Sequence, residues 1–212
     1  MMPLLYATTN PGKGMEVNKH LAPHGIVLVS PAQIGLDLEV DETGSTLEEN
    51  ATLKAQAYLQ HAPGRVVMAD DTGIEIDALG GEPGIHVRRW KDRQTPMSDA
   101  AIIDYCLQRM HGIPPGQRQA QFRTVIALGI PGGAIECFDG ILRGNIRTSA
   151  ASLKYAGMPF ETLFYISEWG KLLGDIHDLS PEAKSQHGYF THRERAIQNA
   201  LPRLRELLAR GI

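Results

Sequence analysis

No stretch of this 212-residue chain is apolar for the length that a membrane span requires. At the start, Met1-Met2-Pro3 leads into the first apolar residues without the charged segment that opens a secretory signal, so a cytoplasmic location with no membrane partner is expected. Cysteine is scarce. Cys106 lies in a stretch with helical pattern and Cys137 in one with strand pattern, which indicates neither a disulfide framework nor a thiolate metal site. Net charge is small as well, formally -3, and this excludes a general attraction to nucleic acid while leaving local basic groups able to bind a small phosphate ligand. Internal repeats and low-complexity segments are absent, and so is the Gly-x4-Gly-Lys-Ser/Thr spacing of a Walker loop. A chain of this length, 42% hydrophobic, buries a substantial core as a single domain over 1–212 or as two tightly joined lobes.

What is present concentrates in three segments. Leu4-Leu5-Tyr6-Ala7 reads as a buried strand, and Glu16 to Leu21 as a helix. Between them lies the polar turn Thr8-Thr9-Asn10-Pro11-Gly12-Lys13. A turn so placed aims backbone N–H groups and a helix dipole at whatever lies above it, so Thr8, Thr9, Asn10 and Gly12 are candidates to surround an anion while Lys13 adds a full charge. The same sequence is also an ordinary turn with an exposed lysine.

Arg65 to Met68 again reads as a strand, and Ala69-Asp70-Asp71-Thr72-Gly73 is expected where it ends. Adjacent strand residues point in opposite directions, so one carboxylate faces the first turn and the other turns back into the scaffold. Two carboxylates this close favour a divalent cation or a raised pKa, and their hard oxygens suit Mg2+. An Asp-Asp turn with an Asx cap is the plain alternative. In the third segment Thr46 and Glu49 have capping-box spacing, Leu47, Ala51 and Lys54 follow at helical spacing, and Asn50 and Lys54 share one helix face. Asp41 and Glu42 precede that cap, where either carboxylate could reach the cation at Asp71 or belong to a solvated acidic loop.

Elsewhere, Ser98 caps a helix that Gly112 to Gly116 stops, Phe122–Ile130 and Ala134–Phe138 flank a Gly-containing hairpin connection, and Arg193–Arg210 reads as a terminal helix that Pro202 should bend or restart. The pattern of short strands and intervening helices is α/β.

In this order the three segments resemble the inosine triphosphate pyrophosphatase family. The run from Ala69 to Ile85 matches that family's signature with conservative changes, and Thr191-His192-Arg193 stands where it usually has Ser-His-Arg. Two departures are evident. Gly157-Met158-Pro159-Phe160-Glu161-Thr162-Leu163-Phe164 replaces the usual Gly-Phe-Gly-Tyr-Asp-Pro-Ile-Phe, and a longer segment than usual separates Lys184 from Thr191.

The resemblance implies an elongated mixed central sheet flanked by helices, two lobes with an active-site cleft between them, and a homodimer. It also implies Mg2+-dependent hydrolysis of a non-standard purine nucleoside triphosphate to the monophosphate and pyrophosphate. Carried onto this chain, it makes Asp71 the water activator, Asp71 with Asp41 or Glu42 the metal ligands, and Lys13 and Lys54 the neutralising charges. Thr8, Thr9, Asn10 and Thr72 would then orient phosphate oxygens, His192 and Arg193 meet the base, Phe160 stack on it, and Glu161 and Lys184 complete its recognition. A pyrophosphatase specialised for a modified nucleotide and a non-catalytic nucleotide-binding regulator are the alternatives.

Overall fold

Residues 3–210 are described by the computed structural model of the chain. The apolar run at the N-terminus forms β1 (Leu4–Tyr6), and the polar turn passes at once into α1 (Pro11–Leu21). That helix begins five residues before the expected Glu16. Pro11 explains the early start: its fixed φ suits the first helical position, where its missing N–H costs nothing. After β2 (Leu28–Val29) the chain reaches α2 (Leu47–His61), capped by Thr46, and β3 (Val67–Ile76). β1 pairs in parallel with both β2 and β3, an arrangement that needs crossover connections, and α1 and α2 lie on them.

β3 is longer than expected, so Asp70 and Asp71 stand within a strand and not at its end. The remaining elements are β4 (Pro83–Gly84), α3 (Asp99–Arg109), β5 (Gln119–Gly129), β6 (Glu136–Ile146), β7 (Phe164–Ile166), β8 (Lys171–Leu172), α4 (Leu173–His177), α5 (Pro181–His187) and α6 (His192–Arg210). The strand order is β2-β1-β3-β5-β6-β7-β8 with β4 antiparallel to β3, a mixed sheet in an α/β protein as expected. Among the described residues no helix is long and apolar enough to cross a membrane.

Contacts divide the chain into two units, the first from the described parts of 1–72, 124–140 and 192–212, the second from 73–123 and 141–191. In the first, Leu4, Tyr6, Val17, Leu21, Met68, Ile126 and Leu128 pack with Ala196, Ile197, Ala200, Leu204, Leu207 and Leu208 of α6. Each large aliphatic side chain so buried contributes about 1.5–3 kcal/mol before entropy is counted. Pro202 lies inside α6 without ending it. It sits on the exposed face, where water can take the carbonyl that its missing N–H leaves behind.

At Gly140 of β6 a strand backbone lies directly on the start of α6: an added Cβ would meet the His192 carbonyl oxygen at 2.2 Å and the Ala196 nitrogen at 2.3 Å. The second unit has its own core of Ile74, Ile76, Trp90, Ile102, Phe122, Phe160, Phe164 and neighbours. There the buried Arg118 donates to the carbonyls of Met110, Ile113, Ile146 and Arg147, and so satisfies four backbone acceptors with one side chain.

Candidate active site

The two aspartates of β3 alternate across the strand, and their environments differ as sharply as their directions. Asp70 is fully buried. Its Oδ1 accepts the Tyr6 hydroxyl at 2.8 Å, and its Oδ2 meets Lys13 Nζ at 3.1 Å and Arg193 Nε at 3.1 Å. Burial alone would raise the Asp70 pKa, but Lys13, Arg193 and Lys54 outweigh it and hold the carboxyl well below the usual carboxylate range. Asp70 is thus a permanent anion that organises cations.

Asp71 faces other partners. Its Oδ1 accepts the Thr72 backbone N–H at 2.9 Å and its Oδ2 the Asn50 side-chain amide at 3.2 Å. The Asn50 orientation is fixed from behind, because its Oδ1 takes the Gly44 N–H at 2.8 Å and leaves only the NH2 for Asp71. Burial pushes the Asp71 carboxyl up to about 6, with Glu42 adding to the rise and Lys54 and Lys13 opposing it. An acid near neutrality beside a charge-fixed twin is the division of labour that proton-transfer chemistry uses.

The helix α2 delivers the next groups. Thr46 Oγ1 accepts the Glu49 N–H at 3.1 Å, so the expected cap forms. In return the Glu49 carboxylate takes the Ser45 N–H at 2.6 Å and its hydroxyl, and these, with the Thr46 N–H, lower its pKa. Glu49 is structural, as expected. One helical turn beyond Asn50, Lys54 Nζ reaches Glu42 at 2.8 Å and the Asp70 carbonyl at 3.0 Å. Of the two acidic candidates before the cap, both exposed, Glu42 is the one whose ion pair with Lys54 ties it to the cluster.

The phosphate turn differs from expectation. Asn10 Oδ1 itself accepts the N–H groups of Gly12 at 2.9 Å and Lys13 at 3.2 Å, so the first turn of α1 is already capped. Thr8 Oγ1 accepts the Asn10 N–H at 3.2 Å and fixes the turn. Lys13 is the cation this turn supplies, and Thr9 is exposed beside it. Replacing Asn10 by Asp keeps an equally good cap and suits the helix dipole, yet it puts a negative charge where a polyphosphate must approach. The expected result for Asn10→Asp is an unchanged or slightly higher melting temperature with a Michaelis constant for triphosphates raised about tenfold or more, measured by thermal denaturation and steady-state kinetics.

Arg193 has partners other than those expected for it. Its guanidinium holds Asp70, Glu16 and Thr72 Oγ1 while 3% exposed, which places it with the β3 carboxylates. Opposite charges and the Asp70 hydrogen bond outweigh its burial and keep it firmly charged. His192, its neighbour, bonds through Nδ1 to Thr124 Oγ1 at 2.6 Å. Tyr6 and Thr124 were not singled out by sequence reasoning; the signal at Thr124 is a lone hydroxyl residue opening the apolar run Val125 to Leu128.

In the second unit Phe160 is a core residue, 2% exposed, with the rings of Trp90 and Phe122 at 6.0 and 6.2 Å. Glu161 is buried and its Oε1 lies 2.6 Å from His177 Nε2, a partner supplied by α4 that local sequence reasoning did not identify. Lys184 is buried on α5.

Together, an α/β strand-turn-helix with a half-buried lysine, an ionised aspartate and a second aspartate poised near neutrality suit hydrolysis of a phosphoric anhydride. The chain belongs to the Ham1 family, whose model matches residues 4–203. It is similar to the dITP/XTP pyrophosphatase of Bacillus subtilis, 35% identical over 198 residues that cover 93% of this chain and 94% of that protein. The dITP/XTP pyrophosphatase of Symbiobacterium thermophilum is 37% identical over 211 residues, 98% of each chain. Among solved structures, the Ham1 protein of Staphylococcus aureus superposes with a TM-score of 0.74 at 30% identity, covering 97% of this chain and 99% of that one.

Proposed function

We propose that this chain hydrolyses non-standard purine nucleoside triphosphates, inosine or xanthosine triphosphate and their deoxy forms, to the monophosphate and pyrophosphate, and so removes them from the nucleotide pool. The observation that carries the reading is the unequal pair on β3, with Asp70 held ionised by Lys13 and Arg193 and Asp71 brought to about 6 by burial. A water oxygen attacks the α phosphorus, the bond from that phosphorus to the bridging oxygen breaks, pyrophosphate departs, and Asp71 takes the proton. Lys13 and Lys54 balance the charge that grows on the leaving group, while Thr8, Thr9, Asn10 and Thr72 orient phosphate oxygens.

Among the described residues no cluster of three or more His, Cys, Asp or Glu side chains is placed to hold a metal ion. Two carboxylates nevertheless suit Mg2+, which typically takes one or two together with substrate oxygens and waters. Glu42 and Asp71 are the pair, since they come from separate elements, both act on Lys54, and Glu42 raises the Asp71 pKa as a neighbouring like charge does. Bound there, Mg2+ would lower the pKa of a coordinated water and neutralise phosphate charge. Base recognition is assigned to His192, Glu161 and Lys184, with Phe160 as the packing that seats Glu161. A cytoplasmic homodimer completes the proposal, and sedimentation at assay concentration tests the assembly.

The Glu161–His177 pair supports a second reading within the same chemistry, a preference for a modified purine. Pyrophosphate release from inosine, xanthosine, guanosine and adenosine triphosphates with Mg2+ decides between them, and binding without release would remove the enzymatic reading. Glu161→Asp withdraws the carboxylate by one methylene from His177. It is expected to change the ratio of kcat/KM among the four substrates about tenfold or more while the best kcat falls less. A uniform loss across all four would make Glu161 a purely structural residue.

A further inference from the structure

Tyr6 is the last residue of β1, paired in register with Met68 on β3, and its ring belongs to the core of the first unit. Among the described residues its hydroxyl has one hydrogen-bond partner. It donates to Asp70 Oδ1 at 2.8 Å, while Asp70 Oδ2 meets Lys13 Nζ and Arg193 Nε, each at 3.1 Å, with the Thr72 hydroxyl 3.3 Å away. The carboxylate is loaded unequally, with two cations on one oxygen and a single neutral hydroxyl on the other. Burial and the Asp70 charge raise the Tyr6 pKa well above its ordinary value, so the hydroxyl keeps its hydrogen and donates at every working pH.

Asp70 is fully buried, so a carboxylate oxygen that lost its donor there would draw the nearest mobile cation. Arg193 is not mobile, because its guanidinium is also held by Glu16 and by Thr72 Oγ1. Lys13 is. Its ammonium carries three N–H groups on a flexible stem, and among the described residues Asp70 is its one ion-pair partner. Two N–H groups are thus left for a ligand. With the Tyr6 hydroxyl on Oδ1 that oxygen is already taken, and Lys13 meets Asp70 through Oδ2 alone.

We infer that Tyr6 is a positioning residue for Lys13: by occupying Asp70 Oδ1 it stops the ammonium from bridging both carboxylate oxygens and keeps two of its N–H groups for the polyphosphate. The inference rests on the proposed role of Lys13 at that group. Tyr6 itself is 2% exposed and acts through the carboxylate that it fixes. Phenylalanine in its place preserves the ring and its packing in β1, yet it frees Oδ1, and Lys13 then turns inward with one more N–H engaged by Asp70. Polyphosphate binding weakens although every residue assigned to the chemistry is still present.

The test is a double-mutant cycle on the full-length protein, with pyrophosphate and Mg2+ as the probe and binding read by titration calorimetry. Circular dichroism first fixes a temperature at which all four proteins are folded. Tyr6→Phe is expected to weaken pyrophosphate binding about tenfold, the size of one charge-assisted hydrogen bond, and to have no further effect in a Lys13→Ala background. A tenfold loss in both backgrounds makes Tyr6 a structural support and overturns the inference. Loss with Lys13→Ala but none with Tyr6→Phe overturns it as well and leaves the proposed function standing, whereas no loss with Lys13→Ala removes the proposed role of Lys13 and the inference together. A crystal structure of Tyr6→Phe supplies the second measurement: Lys13 Nζ bridging both oxygens of Asp70 supports the inference, and Lys13 unmoved on Oδ2, with a water where the hydroxyl was, overturns it.

Discussion

Asp71→Asn is expected to lower kcat by about a hundred- to ten-thousand-fold, the range over which a positioned base contributes. The amide keeps the Thr72 N–H contact through its oxygen, but its NH2 then faces the NH2 of Asn50, which Gly44 prevents from turning over. One hydrogen bond, about 1 kcal/mol, is lost. Against it stands the charge. Asp71 has a folded pKa raised from 3.8 to about 6, so the group favours the fold fully below its ordinary value, and that contribution disappears as pH rises through about 6. At pH 7 the metal-free wild type therefore carries a buried carboxylate at a cost of up to about 3 kcal/mol, which asparagine relieves.

The variant should unfold within about 1 kcal/mol of wild type at pH 7 or above it, and the wild-type fall in stability between pH 5 and 7 should flatten. Urea denaturation of the metal-free proteins at both pH values, beside pyrophosphate release with Mg2+, checks each part. Near-normal turnover would take Asp71 out of the chemistry. Asp70 responds in the opposite sense: its lowered pKa gives stability above the ordinary carboxylate range that is lost on acidification.

Gly140→Ala should cost about 3 kcal/mol or more, because the new methyl meets backbone atoms that cannot rotate away. The relief available is a displacement of the first turn of α6, where His192 and Arg193 stand. Arg193 then leaves Asp70 and Glu16, and a buried ion pair broken in this way adds its own penalty. Loss of stability and loss of activity should therefore appear together, in contrast to Asp71→Asn. Calorimetry with kinetics at a temperature where the variant is still folded separates the two; full activity there would mean that α6 tolerates the shift.

Locally encoded elements were readable in advance, and groups defined by distant partners were not. The Thr46 and Ser98 caps were legible because a capping side chain answers an N–H three residues away. The terminal helix was legible because Ile197, Leu201, Leu204 and Leu208 repeat at its period, although Pro202, expected to bend or restart it, is accommodated on the wet face. The aspartates looked like the end of a strand because Asp is a turn former. Inside β3 they are tolerated because Tyr6, 64 residues earlier, and Arg193, 123 residues later, meet Asp70. No local pattern reveals that Arg193 belongs with Glu16 across 177 residues, or that Phe160 is enclosed by Trp90 and Phe122. Asp71, Lys13 and Lys54 were found together because the strand-turn-helix pattern and the i, i+4 face are themselves local.

The concealment of the cations governs how a substrate arrives. Lys13 and Lys54 have side chains only 18% and 13% exposed, and each is matched by a carboxylate, in a chain whose formal net charge is -3. At separations beyond a Debye length, about 8 Å in physiological salt, an incoming polyanion meets no attractive field from this protein. Encounter is an unassisted diffusional search, and added salt, which slows partners that attract one another, leaves its rate constant unchanged or slightly raises it. Discrimination among nucleotides is then exercised after collision, in how long each one stays.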